Sequence, residues 1–135
     1  MATPDPLAIV VAAALRTGSA LQTQGIDVRA VSAPEGWANG TRLVVLRMSG
    51  GLPDGYLDTL QVQIEAYCYG GSEKHIDAMT VWRYTLDSLH QVRGLAYTAG
   101  RLLWCDADSG PTQTIDEESE FPVVIGTFTA EVSPL

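Results

Sequence analysis

Hydrophobic and polar positions follow two different periods along this chain. Leu60, Val62, Ile64, Ala66 and Cys68 alternate with Gln61, Gln63, Glu65, Tyr67 and Tyr69. That is the pattern of a strand with one face in a core and the other against water or a partner. Thr41–Met48 (TRLVVLRM) is apolar on both faces and predicts a central strand of a sheet covered on each side. Ile26, Val28 and Ala30 predict a shorter strand, and RLLWCD (101–106) and VVIGTFTAEV (123–132) predict two more.

Two stretches carry helical spacing instead. Thr3-Pro4-Asp5-Pro6 offers a cap and a proline for a first turn, after which Leu7, Val10, Val11, Ala14 and Leu15 share one face of a helix that fades by Gly18 or Gly25. A longer helix is expected from a Ser72 cap to about Val92 or Arg93, with Gly94 as the left-handed residue beyond it. Its core stripe is Met79, Trp82, Leu86 and Leu89, with Ile76 at the edge and Val81 and Tyr84 pointing away. The order α-β-β-β-α-β-β predicts an α+β fold: a single mixed or antiparallel sheet of about five strands with two helices packed on one face.

Between two of the strands lies SGGLPDGYLD (49–58), read as a turn-rich loop. It is longer than a hairpin needs and holds Leu52, Tyr56 and Leu57, apolar residues with little reason to sit in water. The expectation is a loop that orders on docking and buries them against a neighbour.

A length of 135 residues is that of one domain, residues 1–135, and no linker or repeat divides it. No segment has the length and apolar character of a membrane span or a secretory leader, so the chain is expected to be made in the cytoplasm, with no membrane partner. The net charge of −8 argues against capture of a nucleic-acid backbone. Six carboxylates and no base fall between Asp106 and Glu120: Asp106, Asp108, Asp116, Glu117, Glu118 and Glu120.

Chemistry finds little footing. The acidic window has the spacing of a calcium loop but puts Pro111 where a glycine is required, and its flanks read as strands. His75 and His90 are about four helical turns apart and cannot share a metal or a proton. Cys68 and Cys105 fit no metal or redox pattern and read as buried thiols, and no nucleophile elbow or phosphate-binding glycine loop occurs. No catalytic residue, metal or cofactor is assigned.

Taken in order, the Pro-led first helix, the strand 26–30, the loop with Pro34, TRLVVLRM ending in Ser49-Gly50-Gly51, LQVQIEAYCYG, EKHIDAMTVWRYTLDSLHQV, RLLWCD followed by Ser109-Gly110-Pro111, and GTFTAEV span nearly the whole chain. This series resembles the tail terminator family of long-tailed bacteriophages, also called tail completion or minor tail proteins. The resemblance implies a non-enzymatic virion protein of the tail and neck region. Such a subunit forms a homohexameric ring that caps the tail tube protein, stops polymerisation and presents the surface that joins the head-tail connector or stopper protein. DNA passes through its channel without specific binding. A ring gives exposed apolar residues a use, so Leu52, Tyr56, Leu57, Tyr67, Tyr69, Val81 and Tyr84 are candidate interface residues. The acidic window is the candidate channel lining.

Three other readings remain: a different phage neck or head-completion subunit, a small-molecule-binding or hydrolytic α/β domain, and an adaptor whose sheet edge pairs with a partner strand. The hydrolytic reading requires a pocket that gathers a histidine or cysteine with an acid.

Overall fold

A computed structural model describes residues 4–32, 41–54, 59–71, 74–115 and 122–135. Among them are three helices, α1 (Pro6–Ala14), α2 (Ala20–Thr23) and α3 (Lys74–Leu89), and six strands. The strands are β1 (Asp27–Ala30), β2 (Leu43–Asp54), β3 (Thr59–Tyr69), β4 (Val92–Tyr97), β5 (Gly100–Ile115) and β6 (Pro122–Ser133). They form a single sheet in the order β1-β2-β3-β6-β5-β4. Only the β1–β2 pair is parallel.

The α+β class, the mixed sheet and the helices on one face are therefore as the sequence predicts, with one more strand and one more helix. The extra strand, β4, begins where α3 was expected to run on. Gln91 takes the left-handed backbone (φ 61°) two residues after the end of α3, and Gly94, with φ 66°, lies inside β4. The extra helix is the single turn of α2. Ser19 caps it by accepting from the Gln22 amide at 3.2 Å, and the same hydroxyl donates to the Ala14 carbonyl at 2.7 Å, tying α2 to the end of α1.

Two strands run further than their patterns suggest. β2 continues through Asp54 in antiparallel pairing with β3. Residues 49–54 are thus the rising arm of a hairpin and not a loop, with Gly50 placed after a bulge. β5 likewise continues to Ile115 across three register shifts, so the acidic window is strand from Asp106 to Ile115. β2 is also next to the sheet margin and not central, because β1, only four residues long, is its outer neighbour.

The helix-covered face holds the main core. Val44 and Leu46, then Val62, Ile64, Ala66 and Cys68, then Val124, Phe128, Ala130 and Val132 meet Ile9, Val10, Ala13 and Ala14 of α1, Leu21 of α2, and Ala78, Val81, Trp82 and Leu89 of α3. Both helices are rotated from the expected stripe. In α3 the line of closest approach is Ala78, Val81, Trp82, Thr85 and Ser88, while Ile76 is exposed and Met79 and Leu86 are half-buried. Small and hydroxylated residues let the backbone approach the sheet, and the hydroxyls bond within the helix: Thr85 Oγ1 donates to the Val81 carbonyl at 2.9 Å, and Ser88 Oγ to that of Tyr84 at 2.7 Å. On the opposite face, Leu43, Val45, Tyr69 and Val123 form a second buried cluster flanked by Tyr67 and Ile125.

Candidate functional site

The candidate interface residues do not share one surface. Val81 is fully buried and Tyr69 nearly so, which corrects both as exposed contacts: Val81 lies on the sheet-facing side of α3, and Tyr69 is enclosed by the second cluster. Tyr67 is half-buried, with the Arg47 guanidinium 4.6 Å from its ring centroid. Tyr84 is half-buried and packs against the main core, and its ring centroid is 6.0 Å from the Arg42 guanidinium. Leu52 is placed opposite Gln61 in the β2–β3 hairpin, while Tyr56 and Leu57 lie outside the described residues.

The acidic window divides in the same way. Asp106 faces Arg93 across the β4–β5 pair, with the guanidinium 3.0 and 3.1 Å from its two oxygens. Its charge is matched locally. Asp108 accepts from Gln63 Nε2 at 3.5 Å. Asp116, Glu117, Glu118 and Glu120 lie outside the described residues.

The groups with chemical potential stand apart. Both thiols are buried and pushed up to about 12, each chiefly by desolvation: Thr85 opposes the shift at Cys68, and the Asp106 charge adds to it at Cys105. His90 is exposed and uses Nδ1 to accept the Ala107 amide at 3.0 Å. Two open grooves are lined by described residues. One, about 370 Å³, is lined by Ile76, Met79, Thr80, Arg83 and Gln113, and the other, about 500 Å³, by Ala96, Tyr97, Thr98 and Leu135. Neither lining contains the histidine or cysteine with an acid that the hydrolytic reading requires.

The strongest polar anchor escaped the sequence reading. Arg42, just before β2, holds Asp77 in the first turn of α3 through Nε at 3.0 Å and Nη2 at 2.6 Å, and Asp77 also accepts the Gly71 amide. This pairing lowers the Asp77 pKa and raises that of Arg42. It fixes the start of α3 against the adjoining ends of β2 and β3. The residues are 35 apart in sequence, and no local spacing announces them.

The exposed apolar side chains are the second set missed. Val31 (60% exposed) and Met48 (51%) lie on the β1–β2 side of the sheet, and Ile76 (74%) and Ile115 (51%) beside β5 on the other. Arg83, exposed in the groove with Ile76, has no ion-pair partner among the described residues.

No family model matches the chain, and no curated protein matches it. Among solved structures it is similar to a chain from the virion of a native gene transfer agent particle. The two share 14% sequence identity and superpose with a TM-score of 0.65 over 93% of this chain and 92% of that one. At that identity the likeness is one of fold.

Proposed function

We propose that this protein is a structural subunit of a phage-like virion, and specifically a tail terminator: a ring that caps the tail tube, ends its polymerisation and joins the tail to the head connector. The observation that carries the reading is the end-to-end likeness of fold to a chain of the gene transfer agent virion, with nine-tenths of each chain covered. It agrees with the order of elements on which the resemblance to tail terminators rests.

Several features support an assembly role. The margins of the sheet carry large apolar side chains in water, as a surface awaiting a partner does. The long β2–β3 and β5–β6 hairpins give a small domain reach toward neighbouring rings. In the proposed ring the carboxylates that Arg93 does not neutralise, Asp108 and those of 116–120, line the channel and let DNA pass without sticking.

The test is assembly. Purified chain, alone and mixed with tail tubes, is followed by light scattering and negative-stain microscopy, with rings or capped tubes as the expected result. A chain that stays monomeric and leaves tube length unchanged overturns the proposal.

A further inference from the structure

The two margins of the sheet have complementary outlines. With β6 as a ruler, β1 occupies only the levels of Val123–Gly126: Asp27 is level with Val123, Val28 with Val124, Arg29 with Ile125 and Ala30 with Gly126, through β2 and β3. Above β1 the outer edge of β2, from Arg47 to Asp54, has no strand beside it among the described residues. The other margin is stepped in the opposite sense. β4 covers β5 only from Gly100 to Cys105, near the levels of Ala130–Ser133, and among the described residues no strand covers the edge of Asp106–Ile115. One margin projects where the other recedes.

We infer that copies of this chain join side by side through these margins, with β1 of one copy seated along the open edge of β5 of the next, and β4 of that second copy along the open edge of β2. The inference takes its occupant, a second copy, from the ring reading and adds the surface. Directions fit without turning either copy over. β1 runs with β2, and β5 runs against it, so β1 meets the neighbouring β5 antiparallel. Such a contact uses two different patches and repeats head to tail, which is the condition for a closed ring.

Side chains at matching levels agree. Met48 and Ala107 are both level with Phe128 on the helix-covered face, so the exposed Met48 faces an alanine across the two strand spacings left between the end of β1 and the start of the neighbour's β4. Four of the five large apolar residues exposed among the described residues, Val31, Met48, Ile76 and Ile115, lie along these two margins. The Ala107 amide is already taken by His90, and Pro111 has no amide hydrogen. Thr112, Gln113 and Thr114 are therefore the residues opposite Arg29, Val28 and Asp27.

Cysteine pairing tests this on the full chain. Arg29 and Thr112 are both level with Ile125 on the face opposite the helices. In one molecule they are four strand spacings apart, about 19 Å, too far for a disulfide. Across the proposed contact they are direct neighbours, with Cβ atoms about 5 Å apart. The double variant R29C/T112C, assembled and then oxidised, is expected to give a ladder of covalent multimers that ends at the ring. Mixing the two single variants is expected to give covalent dimers only. D27C/T114C, two levels away, is expected to repeat the ladder and so fix the antiparallel register. Rings that form but give no ladder with either pair overturn this contact and leave the ring reading standing. A chain that assembles neither alone nor on tail tubes overturns both.

Discussion

The six-membered ring of Trp82 fills the space above Gly126, where a Cβ would collide with three of its carbons. The indole also meets Phe128 two residues along β6, with ring centroids 5.5 Å apart and planes inclined by 46°. One helix residue thus sets how closely α3 lies on the central strands. Gly126→Ala forces Trp82 from this seat and is expected to lose about 3 kcal/mol of unfolding free energy. Gly50→Ala serves as the comparison, since a Cβ there meets nothing within 4 Å, and it is expected to stay within about 0.5 kcal/mol of the parent. Urea denaturation of both variants measures the difference.

Asp77 gives the fold a dependence on acid. Its carboxyl is held below the ordinary carboxylate value, first by the hydrogen bonds from Arg42, then by the Gly71 amide and the Arg42 charge, against the opposing effect of burial. A folded pKa below the unfolded one contributes stability that is fully present above the unfolded value, about 3.9. That contribution is lost as pH falls through the folded value. Arg42 stays protonated throughout. Because the Arg42 side chain is partly open to water, the contribution is put at about 1 kcal/mol. Asp77→Asn is expected to be less stable than the parent at pH 7 and to converge with it below pH 4, read from thermal unfolding across that range.

Ser88 joins all three helices. Its hydroxyl donates to the Tyr84 carbonyl within α3 and accepts the Leu21 amide of α2 at 3.1 Å, while its carbonyl accepts from Arg16 Nη1, which also reaches Ala13 of α1. Ser88→Ala leaves a buried amide without its acceptor and is expected to cost about 1–3 kcal/mol. Faster amide exchange at Leu21 than at Ile9 of α1 would tie the loss to that bond.

The two thiols are expected to be silent in the folded protein. Cys68 and Cys105 are buried, with their thiols raised to about 12, so almost no thiolate is present at pH 8 and neither sulfur is open to a reagent. Ellman's reagent at pH 8 is expected to report no rapid reaction with native protein and two thiols after denaturation. Rapid reaction of either cysteine in the native state contradicts this packing.

Periodicity alone determined much of this protein. The alternation from Leu60 to Tyr69 is β3, with its apolar set on the helix-covered face, and the capped apolar run after Asp5 is α1. Both are legible because neighbours in sequence share one environment. Which face of a helix meets the sheet was not legible. α1 is apolar nearly all round, and α3 buries Ala78, Thr85 and Ser88 in preference to Ile76 and Met79. That choice belongs to the shape of the sheet beneath, where Gly126 admits Trp82 and the Cys68 sulfur sits 3.5 Å from the Thr85 hydroxyl. The extent of β2 and β5 was hidden for a related reason. Glycine, proline and serine signal turns locally, yet the pairing of Ser49–Asp54 and Ser109–Ile115 with neighbouring strands outweighs that preference through hydrogen bonds no local pattern records. The stepped margins of the sheet are set by where four strands stop relative to one another. They exist only once the sheet is formed.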